Sequence, residues 1–157
     1  MSTGSREITL RFMAAPTDVA TIDGTAIAGG RVLEWIDKAA YACAVGWSGR
    51  DCIAAYSGGI RFYRPIMIGH IVEVRARLLH TGRSSMHVSV HVSSGDPTAP
   101  EMQLTTHCLT IFVALDEQDR PVPVPRWDPV TEEDRRLDEH ARHLMRLRAR
   151  LAPVHPS

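Results

Sequence analysis

The 157-residue chain contains no asparagine, a single lysine (Lys38) and three cysteines, and its 18 basic residues are matched by 18 acidic ones. Each scarcity removes a class of function. A formal net charge of zero supplies no overall field toward nucleic acid or an anionic membrane surface, so only a local patch can hold an anion. Cys43, Cys52 and Cys108 are an odd, widely spaced set that suits neither a disulfide framework nor a zinc knuckle, and buried reduced thiols are expected. No apolar run is long enough to cross a bilayer, and Met1 to Arg6 carry no apolar signal core, so a cytoplasmic protein without membrane attachment is expected. What is present is an ordinary globular composition, 44% hydrophobic and 23% charged, enough for one domain with a sizeable core.

Along the chain, Glu7 to Ala14 reads as a first strand. A Gly-, Thr- and Asp-rich loop over Pro16 to Gly30 leads into a helix over Arg31 to Trp47, which Ser48-Gly49-Arg50-Asp51 ends. Four extended segments follow, at about Cys52 to Tyr63, Ile71 to His80, Ser84 to Ser93 and Leu104 to Leu115. In the third, Met86, Val88, Val90 and Val92 alternate with Ser85, His87, Ser89, His91 and Ser93, which predicts one buried and one polar face. Thr81-Gly82-Arg83 is short enough for a hairpin, and Ser57-Gly58-Gly59 fits a strand bulge better than a phosphate loop. An antiparallel meander after one long, mostly apolar helix is an α+β pattern in which the sheet wraps the helix. Residues 121–130, with Pro121, Pro123 and Pro125, form a stiff connector poor in backbone donors. Residues 131–157 carry a C-terminal helix capped by Thr131, with a thin apolar stripe of Leu137, Ala141, Leu144, Leu147 and Leu151 that needs a partner surface. Residues 1–120 make the main domain.

The segment carrying most chemistry is Gly29 to Ala44. At about 100° per residue, Val32, Leu33, Ile36, Ala40, Cys43, Ala44 and Trp47 share one arc, and Asp37 lies on its rim beside Leu33 and Ala44. Partial desolvation there is expected to raise the Asp37 pKa toward that of a useful general base. Gly29 and Gly30 let a carbonyl approach the N–H groups and positive dipole end of the helix.

Three segments in order, Gly29-Gly30-x-x-Leu33-x-Trp35-Ile36-Asp37-x-Ala39-Ala40, Ile60 to Gly69 and His80 to Met86, resemble the hotdog-fold acyl-CoA thioesterases, in the cytosolic acyl-CoA hydrolase branch. The resemblance implies a curved antiparallel sheet around a central helix and an acyl-CoA substrate. It also implies a homodimer with composite sites, often built into a hexamer, and no metal or redox cofactor. By the same resemblance Asp37 is the catalytic carboxylate, the N–H groups around Gly30 hold the thioester oxygen, and Gly29 counts among the residues that bind the coenzyme A ester. Ala54, Ala55, Tyr56, Arg83, Ser84 and Ser85 then contact coenzyme A, with Arg61 and Arg64 as nearby candidates for its phosphates. The family's loop asparagine is missing, and Thr21 or Asp23 is the expected substitute; a second carboxylate at position 23 would push apart the pKa values of the pair. The missing asparagine also leaves open a non-catalytic or weakly catalytic acyl-CoA-binding protein. Acyl-chain length depends on how Trp35, Tyr41 and Trp47 pack. His87 and His91 stand roughly 13 Å apart along one strand and cannot share a metal, and His140 and His143 have no third ligand nearby in sequence. The arginines at 135, 136, 142, 146, 148 and 150 fit either helix-dipole complementarity or a contact with phosphate or a neighbouring subunit.

Overall fold

The computed structural model describes residues 4–18, 24–99 and 101–150. Thr21 and Asp23 lie outside the described residues. Five antiparallel strands, β1 (Glu7–Met13), β2 (Asp51–Phe62), β3 (Ile71–Thr81), β4 (Ser85–Gly95) and β5 (Gln103–Leu115), form one sheet in the order β1-β3-β4-β5-β2. The helices are α1 (Gly29–Ser48) and α2 (Glu132–Arg150). Strand periodicity chose the inner face: Val72, Val74, Ala76 and Leu78 of β3 and Met86, Val88, Val90 and Val92 of β4 are fully buried toward α1. Helix α1 lies on this face with Val32, Trp35, Ile36, Ala39, Ala40, Cys43, Ala44 and Trp47 buried. Small residues at 39, 40 and 44 allow close approach to the sheet. Gly49 at φ 66° ends the helix in the left-handed conformation, its N–H donating to the Val45 carbonyl.

Two expectations need correction. The buried arc of α1 is rotated toward Trp35 and Ala39, which leaves Leu33 exposed. The second correction concerns β4, whose polar face is not simply solvated: His87 and Ser89 are 1% and 4% exposed. Helix α2 packs against the outer face of β3, and two carboxylates pin it there. Asp134 accepts hydrogen bonds from Arg6 at 2.7 Å and Arg77 at 2.9 Å. Asp138 pairs with His80 Nδ1 at 2.6 Å and with Arg142 at 2.9 Å, while His80 meets the His87 ring edge-on. Burial alone would raise the Asp134 carboxyl, but the hydrogen bonds from Arg6 and Thr131 and the Arg6 charge hold it well below the ordinary carboxylate range. Thr131 caps α2 as expected, its hydroxyl accepting the Asp134 N–H at 3.0 Å.

Alternating prolines leave donors at every second position of the connector. Val122 N–H reaches Ala114 O and Val124 N–H reaches Arg83 O, both at 2.9 Å, and the Trp47 indole N–H donates to Pro125 O at 2.8 Å. The connector is thereby stitched across the end of the sheet that holds the β3–β4 hairpin. All three cysteines are free and buried, and burial pushes the Cys43 thiol up to about 11. Among the described residues no helix is long and apolar enough to cross a membrane.

Candidate active site

Helix α1 begins without a side-chain cap. Ala28 holds the N-cap position in an extended conformation, and its carbonyl accepts the N–H groups of Arg31 and Val32. Gly29 and Gly30 form the first turn with ordinary negative φ. Among the described residues, a methyl group at Gly30 would meet nothing within 4 Å, and one at Gly29 would only touch the Phe62 ring at 3.9 Å. Folding therefore requires glycine at neither position, although glycine inside a helix costs up to about 1 kcal/mol relative to alanine. The clearance leaves the positive end of α1 open to a group from outside the chain. Arg31 braces this end, bonded to Asp18 at 3.1 Å and Glu34 at 2.7 Å.

Asp37 follows Gly30 by seven residues, which places it about 10 Å further along the axis and within about 20° of the same side. It is exposed in the single chain, on a strip with Leu33 one turn before it and Tyr41 one turn after. The desolvation expected at the rim of the core is therefore not supplied by this chain, because the buried arc turns away from Leu33. One carbonyl cannot sit at hydrogen-bonding distance, about 3 Å, from both Gly30 and Asp37 of the same helix. Tyr41 is fixed: its hydroxyl donates to Asp51 Oδ1 at 2.7 Å, and its ring meets Phe112 edge-on at 6.2 Å.

Strand β2 runs alongside as one of the two edge strands of the sheet, β1 being the other. Ala54, Ala55 and Tyr56 are exposed, with Ala55 in a bulge between the Ala54–Phe112 and Tyr56–Ile111 pairs. A second irregularity spans Gly58 to Arg61, where Gly59 takes φ 62°, so Ser57-Gly58-Gly59 does hold a strand bulge. The residues expected to bind coenzyme A are scattered. Arg61 pairs in register with His107, and Arg64 donates to Gln103, near the glycine end of α1, where Phe62 also lies. Arg83, Ser84 and Ser85 occupy the β3–β4 hairpin at the opposite end, beside the start of β2. Helix α1 is about 30 Å long between those ends, so in one chain the hairpin does not meet Gly30.

Tyr56 and Arg61 also face a different concavity. A cleft of about 1710 Å³ separates α2 from the outer face of the sheet, and it contains none of Gly30, Asp37 or Tyr41. His91 and His107 lie side by side in it with ring centroids 4.6 Å apart and planes tilted by 42°, and His140 of α2 lines the same cleft. Burial and then the charge of His107, Arg75 and Arg77 lower the His91 pKa; burial and then His140 lower that of His107. Spacing along β4 disqualified His87 and His91 as a pair, but the His91–His107 contact runs across strands and follows only from the β4–β5 register. Asp51, the partner that fixes Tyr41, was likewise invisible to residue-type reasoning; its helix-ending position gave no sign of it.

Comparison with known proteins agrees with this architecture. Residues 24–101 match the family model described as the thioesterase superfamily. The crystal structure of an apo hexameric acyl-CoA thioesterase superposes with TM-score 0.85 at 32% identity, covering 94% of this chain and 95% of that one. An acyl-CoA hydrolase from Bacillus cereus gives TM-score 0.81 at 30% identity, covering 92% and 86%. The Bacillus subtilis protein YkhA, described as an uncharacterized acyl-CoA thioester hydrolase, is 34% identical over 106 residues, 68% of this chain and 62% of YkhA. The antiparallel sheet wrapped on a glycine-initiated helix, and relatives matched over nearly the whole chain, establish that the protein belongs to the hotdog-fold acyl-CoA thioesterase family.

Proposed function

We propose that the protein hydrolyses acyl-CoA thioesters to a free acid and coenzyme A in a site shared by two copies of the chain. The observation that carries this reading is the cleared, uncapped start of α1 at Gly29-Gly30, together with an exposed carboxylate too far along the same helix to act with it. Two-fold symmetry removes the distance problem. Strand β2 is a 12-residue edge with exposed Ile53, Tyr56, Ile60 and Phe62, the kind of edge that soluble proteins cover. Antiparallel pairing of two β2 edges brings the α1 C-terminal end of one copy toward the glycine end of the other. The same pairing brings one copy's Arg83-Ser84-Ser85 hairpin to the end where the other's Gly30 lies, and it dries the strip around Asp37.

In that site water attacks the thioester carbon while Asp37 of one copy takes its proton as general base. The N–H groups at Gly29 and Gly30 of the other copy hold the oxyanion; donors of this kind contribute about 3 kcal/mol, roughly a hundredfold in rate. Collapse of the tetrahedral intermediate breaks the carbon–sulfur bond, and the proton on Asp37 passes to the departing thiolate. Arg83, Ser84 and Ser85, with the exposed backbone of Ala54, Ala55 and Tyr56, suit the phosphates and amides of coenzyme A. No metal or redox cofactor is part of this route. Thr21 or Asp23 supplies the polar contact that asparagine gives in the family.

A second reading, an acyl-CoA-binding protein with little turnover, is favoured by one fact, the absence of any asparagine. Thiol release from short-, medium- and long-chain acyl-CoAs separates the two. Asp37→Asn is expected to lower kcat by about a hundredfold or more while acyl-CoA binding persists. Unchanged turnover in Asp37→Asn contradicts the assignment of the base. Saturable binding with no thiol release from the wild-type chain establishes the second reading.

A further inference from the structure

We infer that the cleft between α2 and the outer face of the sheet binds a long-chain carboxylate, its apolar body along α2 and its charged end on a row of basic side chains across the sheet. The inference goes beyond the hydrolase reading above and does not rest on it, because the cleft contains none of Gly30, Asp37 or Tyr41. Strand register builds the row. Arg75 of β3 pairs with His91 of β4, His91 with His107 of β5, and His107 with Arg61 of β2. Four adjacent strands thus present basic side chains abreast over about 14 Å, and all four line the cleft.

Opposite this floor, Leu137, His140, Leu144 and Leu147 recur at intervals of three and four residues, one strip on the cleft side of α2. An apolar strip of this kind needs a partner surface, and the sheet supplies only part of one. Ala141 is 1% exposed, whereas Leu144 and Leu147 remain 36% and 41% exposed. Leu109 and Ile111 continue the apolar lining along β5 beyond His107. The cleft, about 1710 Å³, has room for an extended aliphatic chain between helix and strand.

Charge selects the head group. Glu7 already neutralises Arg75, and Asp134 neutralises Arg77. Among the described residues Arg61 makes no ion pair, which leaves it the unmatched cation of the row. Burial and then neighbouring positive charge lower the pKa values of His91 and His107, so at neutral pH their imidazoles donate hydrogen bonds without adding charge. Glu73 and Glu133 line the same cleft and oppose a multiply charged anion. One unmatched guanidinium beside two neutral donors suits a single negative charge, and a carboxylate meets the planar guanidinium in its preferred fork geometry. A small hydrophilic anion would leave the α2 strip uncovered, so the ligand carries an apolar tail.

The test is isothermal titration calorimetry of the full chain with dodecanoate below its micelle concentration, beside acetate, for the wild type, Arg61→Glu and Leu144→Glu. Both positions are exposed, so neither substitution should disturb the fold. The wild type is expected to bind dodecanoate saturably and acetate far more weakly. Each variant is expected to weaken dodecanoate binding by about tenfold or more, Arg61→Glu by placing like charge beside the carboxylate and Leu144→Glu by placing charge beside the tail. No dodecanoate binding by the wild type, unchanged affinity in either variant, or acetate binding as tight as dodecanoate binding overturns the inference. Sedimentation of the same proteins identifies the rival occupant: a wild type that ignores dodecanoate, together with a Leu144→Glu chain that falls to a smaller assembly, assigns the cleft to a second copy and overturns the inference. The readout is heat of binding and not thiol release, so failure of the hydrolase reading leaves this result standing.

Discussion

The two faces of the sheet are held to their helices by opposite kinds of force. Beneath α1 the contact is apolar and made of small and branched residues, with Ala39, Ala40, Ala44, Val74, Val88, Val90 and Phe112 essentially inaccessible. Beneath α2, beside the buried Ala141, ion pairs join helix to sheet: Asp134 joins Arg6 and Arg77, Asp138 joins His80, and Arg6 lies over the Trp127 ring at 4.1 Å. The helix that carries the candidate chemistry thus sits on the rigid face, where position is fixed by close packing. The charged helix sits on the face where ionisable side chains make the attachment. The candidate site and the cluster of ionisable groups thus lie on opposite sides of one sheet.

The largest effect that probes this contrast is expected from Phe112→Ala. It removes the ring between α1 and β5 against which Tyr41 packs, and truncations of buried phenylalanine cost about 3–5 kcal/mol. Denaturant unfolding should move to lower midpoint as a single transition for the whole domain. A selective loosening of α2 in this variant would contradict the division of labour.

A smaller effect, and one confined to the outer face, is expected from acid. Folded-state pKa values of Asp134, His91 and His107 are all depressed, so the unfolded chain binds more protons and stability falls as pH falls. The histidine contribution is present above the ordinary imidazole range, near 6.5, and is lost as pH drops below it. Protonated His91 and His107 would face each other, Arg75, Arg77 and His140, with Glu73 and Glu133 the carboxylates lining the same cleft. The Asp134 contribution is lost only at far lower pH, below the ordinary carboxylate range. Hydrogen exchange, corrected for intrinsic rate, should therefore accelerate in α2 between pH 7.5 and 5.5 while α1 stays protected. Equal acceleration of both helices would show that the outer face has no separate titration.

Much of this architecture was legible in the chain. Strand period and hairpin length placed all five strands, and the glycine pair, Thr131 and the alternating prolines marked the helix starts and the connector. What was not legible depended on distant partners. Asp134 and Asp138 belong to an acidic, charged helix that sequence alone assigns to solvent, and only the fold brings Arg6, 128 positions away, to Asp134. His87 alternates as a polar-face residue, yet α2 and His80 bury it. For the site, residue types identified Gly30 and Asp37, but the helical arc was centred one residue too near Leu33. The desolvation expected at Asp37 is therefore not supplied by this chain's core, which turns away from that side of the helix. The hairpin at Arg83 also read as part of the same pocket, because sequence order conveys nothing about which end of a helix a loop reaches.

Mixing two inactive variants tests whether the Gly30 end of one chain and Asp37 of another form a single site. Asp37→Ala and Gly30→Val chains, each inactive alone, are co-folded in equal amounts and assayed for thiol release. Half of the randomly formed dimers are mixed and each has one intact composite site, so about a quarter of wild-type activity should return. A mixture that forms mixed dimers yet stays as inactive as its parents would contradict the claim and return the chemistry to a single chain.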